Sequence, residues 1–158
     1  MRAQVVDGDL LDQDVEVIVN AWNRNVIPWW LLLPQGVSGA IKRRAGYRPF
    51  MEVGRAGPLP LGGAAFTSAG RLPYKGIIHV AGINLLWRAS SGSIQGSVRS
   101  AMDIVVHRRI GSVAFPVVGA GSGGFKEVAA LALMEEALAD IDAPCRVVFV
   151  KFRRGTGA

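Results

Sequence analysis

The chain has 158 residues, half of them hydrophobic and 19% charged, with a formal net charge of +6. This length and composition predict one globular domain with a sizeable core and exclude a disordered chain. The single cysteine excludes an internal disulfide, and the longest apolar run, residues 27–33, is too short to cross a bilayer. With no signal-peptide pattern at the start, we expect a cytoplasmic protein without membrane contact.

The first half of the chain predicts mainly strands. Residues 2–6 indicate a short edge strand, and the β-branched run 15–19 indicates a strand buried on both faces. Residues 20–35, with two prolines and three tryptophans, predict an irregular segment. A helix follows over residues 36–45 and ends at Gly46. After a turn at residues 58–63 we predict strands over residues 64–68 and 76–81, and a hairpin-like pair within this half.

The second half alternates helices and strands. Apolar residues at three- and four-residue steps predict an amphipathic helix over residues 93–109. A strand at 112–115, a helix at 125–140, a strand at 146–152 and a loose basic tail at 153–158 complete the chain. This alternation predicts a single layered α/β domain with a mixed sheet.

The sharpest local feature is the glycine loop, residues 115–125, which joins an apolar strand to a helix. Four of the six residues from Gly119 to Gly124 are glycines. Glycines let backbone N–H groups approach a ligand, and a helix N-terminus adds partial positive charge. We therefore interpret the loop as a binding site for phosphate or pyrophosphate and not as an ordinary strand-to-helix turn. The dinucleotide-binding pattern fits poorly because only one strand follows, and the P-loop lysine is missing.

Five segments, in the right order across nearly the whole chain, resemble the macrodomain family. The resemblance implies a three-layer α/β/α fold over residues 1–152 with a mixed sheet of about six strands, and an ADP-ribose cleft at the strand ends. The segments are Gly8-Asp9-Leu10, Val19-Asn20-Ala21-Trp22-Asn23, Gly36-Val37-Ser38-Gly39-Ala40-Ile41, Ile78-His79-Val80-Ala81-Gly82, and Ala114-Phe115-Pro116 with the glycine loop.

The same resemblance implies a site for each part of the ligand. Asp9 and Leu10 would contact adenine, and Phe152 would stack on it, although a core or rim role for Phe152 is an equal alternative. Asn20 and Asn23 would reach the distal ribose and are the candidate catalytic residues. The backbone around the diphosphate and distal ribose would come from Gly36, Val37, Ser38, Gly119, Ala120, Gly121, Ser122, Gly123, Gly124 and Phe125.

The first loop, which runs from Trp29 into the start of the predicted helix at Ser38, departs from the pattern that the resemblance implies for hydrolases. Many macrodomain hydrolases carry an Asp where this chain has Ser38, and no acid lies between Glu16 and Glu52. A serine hydroxyl is no general base without a partner that takes its proton. His79, expected to be a satisfied core histidine, His107 and Cys145 are too few for a zinc centre, so no metal or cofactor is expected. Binding of ADP-ribose is therefore favoured over hydrolysis of ADP-ribosyl or O-acetyl-ADP-ribose bonds.

Two other functions remain open from the residues alone. Between Val17 and Met102 the chain carries ten Lys or Arg but only one acid, Glu52, and this surface with its tryptophans would suit a nucleic-acid-binding module. A phosphatase acting on an ADP-ribose phosphate ester is the other alternative. The Trp-rich segment, residues 29–35, has three interpretations: a packed insertion, a lid over the distal ribose, or a partner surface. The sequence leaves the oligomeric state undetermined.

Overall fold

One mixed six-stranded sheet organises the protein. The computed structural model describes residues 1–32 and 36–153. The strand order is β1-β6-β5-β2-β4-β3, and all neighbouring pairs are parallel except β3 with β4, the predicted hairpin-like pair. The strands are β1 Gln4–Gly8, β2 Val17–Trp22, β3 Ala64–Thr67, β4 Gly76–Ala81, β5 Ser112–Pro116 and β6 Arg146–Phe152; the helices are α1 Gly36–Ala45, α2 Arg48–Arg55, α3 Ser91–His107 and α4 Glu127–Ala139.

Helices cover both faces of this sheet. Because strand side chains alternate between faces, Ile18 packs into the core under α1 and α2, while Val19 packs into the core under α3 and α4. Each of these side chains is fully buried, which stabilises the fold by roughly 1.5–3 kcal/mol per residue. The predicted three-layer α/β/α architecture is confirmed.

The largest correction concerns residues 20–22, which were predicted to be irregular and instead extend β2. This strand lies between β5 and β4, and Asn20 pairs with His79 in the register of the β2–β4 ladder. The partner strand satisfies the backbone here, although the polar Asn20 interrupts the apolar pattern. At the sheet edge, β1 likewise lies two residues later than predicted because it pairs with β6 up to Gly8.

Helix boundaries also moved, and one helix was missed. The eight-residue α2 was not predicted, because its apolar face is carried by only two buried residues three apart, Phe50 and Val53, which is a short pattern to detect. α3 begins at Ser91 rather than 93 because Ser90 and Ser93 form a reciprocal capping box. α4 begins at Glu127 rather than 125, because the chain first makes a 3₁₀ turn over Gly121–Gly123.

The five parallel strands point their carboxyl ends to one edge of the sheet, so the loops after them converge there. Arg153, which follows β6, donates its backbone N–H to Gly8 and pairs with Glu127 at 2.8 Å. The rest of the predicted tail, residues 154–158, lies outside the described residues. Within the described ranges, no helix is both long and apolar enough to cross a membrane.

Candidate functional site

The glycine loop follows β5 near the middle of the sheet edge. Gly119, Gly121 and Gly124 have φ of +88°, +70° and +83°, a region that side chains with a Cβ rarely adopt. A Cβ at Gly119 would lie 2.6 Å from Ile94, whereas one at Gly121 would meet nothing within 4 Å. Gly119 thus packs the loop against α3, and Gly121 faces open space. The first N–H groups of the turn Gly121–Gly123 are unused within it and favour an anion.

The N-terminus of α1 lies over the end of β2, the strand beside β5. Its first residues, Gly36, Val37 and Ser38, carry N–H groups that the helix itself does not use. Because such groups and the helix dipole favour anions, this end of α1 is a second candidate phosphate contact. The Ser38 side chain turns inward, with its hydroxyl 3.1 Å from the Ala21 carbonyl oxygen.

A buried chain of hydrogen bonds runs inward from Ser38. The Thr67 hydroxyl lies 2.9 Å from the Ser68 carbonyl oxygen and 2.8 Å from His79 Nε2. The other ring nitrogen, Nδ1, lies 3.0 Å from Asn20 Nδ2, so both nitrogens of His79 have a hydrogen-bond partner. The Ser38 hydroxyl donates to Asn20 Oδ1 at 2.9 Å. Ser38, Asn20, His79 and Thr67 are thus joined in one continuous hydrogen-bonded row.

The two asparagines predicted for the ribose have different surroundings, because only Asn20 belongs to this buried series of hydrogen bonds. Asn20 is completely buried, and the oxygen and nitrogen of its side-chain amide both have partners inside the protein, which suits positioning of the N-terminus of α1 through Ser38. Burial lowers the pKa of His79 from 6.5 to about 3, so its ring is neutral and remains the satisfied core histidine that was expected. Asn23 follows β2 and is 8% exposed; its Oδ1 accepts from Asn25 N–H at 2.8 Å.

The residues predicted for adenine lie together at the other end of the edge. Asp9 follows β1, and one carboxylate oxygen accepts from Leu11 N–H at 2.9 Å. Leu10 beside it is buried. Phe152 ends β6 opposite Gly8 in the β1–β6 ladder, and its ring is 59% exposed. An exposed aromatic residue and a carboxylate at the same end of the sheet edge are suited to stacking on and hydrogen bonding to a base.

The segment after β4, residues 83–89, contributes residues that sequence reasoning missed. Ala89 N–H donates to the Gly123 carbonyl at 3.0 Å, which holds this segment on the glycine loop. Arg88 Nη1 lies 3.7 Å from the position that a Cβ on Gly124 would occupy, so a guanidinium stands beside the loop. Trp87 lines a small recess together with Asn23. The sequence offered one signal for Trp87 and Arg88, which is that their segment directly follows a buried parallel strand.

The Trp-rich segment packs toward α2. The Trp29 ring lies 5.6 Å from that of Tyr47, and its Cδ1 is 3.1 Å from the position that a Cβ on Gly54 would occupy. The Trp29 carbonyl accepts from the buried Lys42 ammonium at 3.3 Å. Trp29 therefore fits the packed-insertion interpretation. Trp30 does not, because it is 66% exposed and lines a cleft of about 470 Å³ beside α2. Residues 33–35, the end of this segment, lie outside the described residues.

The chain also resembles known proteins. The family model described as Macro domain matches residues 19–134. A Macro domain-containing protein of Listeria monocytogenes is 37% identical, covering 82% of this chain and 75% of its own. An O-acetyl-ADP-ribose deacetylase of Citrobacter koseri is 33% identical, and the match covers 98% of this chain and 90% of that protein. A solved point variant of the Oceanobacillus iheyensis macrodomain with ADPR is 25% identical, with a TM-score of 0.79, covering 94% and 83%.

Proposed function

The chain belongs to the Macro domain family, and from that premise we propose that its cleft binds ADP-ribose or an ADP-ribose derivative, free or as a modification of a macromolecule. The observation that carries the proposal is the glycine loop at the sheet edge, with open space at Gly121 and unused N–H groups around it. A diphosphate fits such a loop, because its charge meets several N–H donors without a side chain in between.

Residues at the two ends of the carboxyl edge of the sheet suit the other two parts of the ligand, adenine and the distal ribose. Asp9 and Phe152 offer a carboxylate and an exposed ring to adenine at the β1–β6 end. Asn23 and Trp87 offer an amide and an indole to the distal ribose, next to the end of β2. Arg88 beside Gly124 adds positive charge for the phosphates. The order of these groups along the edge matches adenine, diphosphate and ribose.

Isothermal titration calorimetry with ADP-ribose, ADP, AMP and NAD tests the proposal. We expect ADP-ribose to bind more tightly than AMP, because AMP lacks the second phosphate and the distal ribose. Absence of heat with millimolar ADP-ribose would contradict the proposal.

The adenine assignment has its own variant. Asp9→Ala should weaken ADP-ribose binding by about 10- to 100-fold, since a hydrogen bond to a charged group contributes about 1.5–3 kcal/mol. Ribose 5-phosphate, which has no base, should bind Asp9→Ala and the parent chain equally. Asp7→Ala is the matched control, because Asp7 lies two residues earlier and is exposed.

A second candidate function is hydrolysis of an ADP-ribose ester, which the name of the Citrobacter koseri relative favours. The chain offers this reaction little acid–base chemistry: Ser38 donates its proton to an amide oxygen, and that oxygen is not a base. Asn23, with the ligand's own phosphate, would have to orient the water. Incubation with O-acetyl-ADP-ribose, followed by chromatography of ADP-ribose and acetate, tests it. Turnover lost in Asn23→Ala supports this function, whereas turnover that survives Asn23→Ala would contradict the role of that residue.

A further inference from the structure

An aromatic face lies beside α2, outside the cleft described above. It comprises Trp29 and Trp30 together with Tyr47, Met51 and Arg55, which follow one another at four-residue steps along one side of the helix. Trp30 is 66% and Tyr47 65% exposed, and Met51 and Arg55 are exposed as well. Large aromatic side chains open to solvent are unfavourable unless something covers them.

The charge around this face is positive. Arg55 lines the cleft of about 470 Å³, and Arg48, one turn before Glu52, is 80% exposed. Glu52 is the only acid between residues 17 and 102, and its carboxylate accepts from both the N–H and the hydroxyl of Ser68. Its contact with Arg48, at 3.5 Å on the surface, neutralises that arginine little.

We propose that the aromatic face binds single-stranded nucleic acid. Trp30 and Tyr47 supply rings on which bases stack, and Arg48 and Arg55 supply charge for the phosphates between them. The cleft beside Trp30 has the size of a site for a single base or nucleotide. Exposed rings interleaved with arginines favour this partner over an apolar protein surface, which would leave the guanidinium groups unpaired.

The aromatic face adjoins the ADP-ribose cleft without being part of it. Ile27 lines both the large cleft and the small recess that contains Asn23. A nucleic acid strand on this face would therefore pass close to the proposed position of the distal ribose. Binding of nucleic acid here does not depend on binding of ADP-ribose, so each proposal can fail alone.

Fluorescence anisotropy with a labelled single-stranded oligothymidylate tests the proposal on the full chain. Trp30→Ala should weaken binding about fivefold or more, the lower end of what one stacked base contributes. Arg55→Ala should lower the slope of log K against log salt by about 0.7, the loss of one phosphate contact. The parent chain should show a steep salt dependence.

Matched controls lie on the opposite layer of the sheet. Arg99→Ala on α3 removes an equal exposed charge, and Val128→Ala on α4 removes an exposed apolar group; neither should change affinity by more than about twofold. Failure of the parent chain to bind the oligonucleotide at low salt would overturn the proposal. Equal losses in Arg99→Ala and Arg55→Ala would also overturn it, as would self-association of the chain that Trp30→Ala abolishes.

Discussion

Two glycines adopt the same backbone conformation in different surroundings. Gly121 in the glycine loop has φ +70° and Gly57 after α2 has φ +76°, and a Cβ at either would meet nothing within 4 Å. Gly121→Glu should abolish ADP-ribose binding in calorimetry, because its side chain would fill the open space and repel the phosphates. The positive φ adds a stability cost of about 1–2 kcal/mol.

Gly57→Glu is the control for that cost. It carries the same backbone strain and the same new charge but lies away from the glycine loop, so its stability should fall equally while ADP-ribose affinity stays at the level of the parent chain. Loss of binding in both variants would show that strain, and not occupation of the loop, is responsible.

The neutral, buried His79 makes folding stability depend on pH. Its pKa is about 3 in the folded protein and 6.5 when unfolded, so the unfolded chain takes up a proton first. Above pH 6.5 the histidine is neutral in both states and does not make the free energy of unfolding depend on pH. As the pH falls below 6.5, the free energy of unfolding should fall by up to about 1.4 kcal/mol per pH unit. Urea unfolding at pH 7 and pH 5 measures this, above the ordinary Glu pKa of 4.5.

His79→Gln supplies the comparison, because glutamine does not titrate. The variant should be less stable at pH 7, since the bonds to Asn20 and Thr67 are disturbed, but it should lose less stability on going to pH 5. An equal pH dependence in both proteins would mean that His79 is not the group responsible.

At the scale of elements, Asn25 connects the segment after β2 to α2. Its amide donates to the carbonyls of Val53 at 2.6 Å and Gly57 at 2.8 Å, and its φ is +60°. Asn25→Ala should destabilise the fold by about 2–3 kcal/mol, because three side-chain hydrogen bonds, the third accepted from the Trp22 indole, are lost together with a residue that tolerates this backbone. Chemical denaturation measures the change.

Asn25→Gly separates the contribution of the lost hydrogen bonds from that of backbone strain. Glycine accepts the positive φ but removes the same three hydrogen bonds, so it should destabilise the fold by about 1 kcal/mol less than alanine does. If the two variants are equally unstable, backbone strain contributes nothing at this position.

The same scale shows which elements were predictable. The periodic residues of α3 predicted that helix to within two residues at each end, because its apolar stripe is read directly from the chain. Neither α2 nor the second half of β2 was predicted. Both depend on partners distant in the sequence: α2 is buried through Phe50 and Val53, and β2 pairs with β4.

At the scale of the whole molecule, ligand binding and folding are coupled. If ADP-ribose binds only the folded protein, a concentration of 100 times Kd should raise the free energy of unfolding by about 2.7 kcal/mol. For a chain of this size the melting temperature should then rise by roughly 5–11 °C in differential scanning calorimetry. Gly121→Glu should show no rise, and a rise there would place the ligand elsewhere.

Much of the candidate site was predictable because it is carried by short stretches of sequence. The glycines from Gly119 to Gly124 predicted an anion-binding loop, and the resemblance predicted Asp9, Asn23 and Phe152 as ligand-binding residues. Arg88 and Trp87 were missed, because nothing in their own neighbourhood marks them. They reach the loop only because β4 ends at the same edge as β5.

The sequence by itself determined the alternation of strands and helices, the glycine loop and the family, since these depend on periodicity and on residues close together in the chain. Only the tertiary structure decided what Asn20 does. Its partner His79 is 59 residues away and comes within 3.0 Å because two parallel strands align. A polar side chain acquires its role from the groups that surround it after burial, and those groups are assembled only by the complete fold.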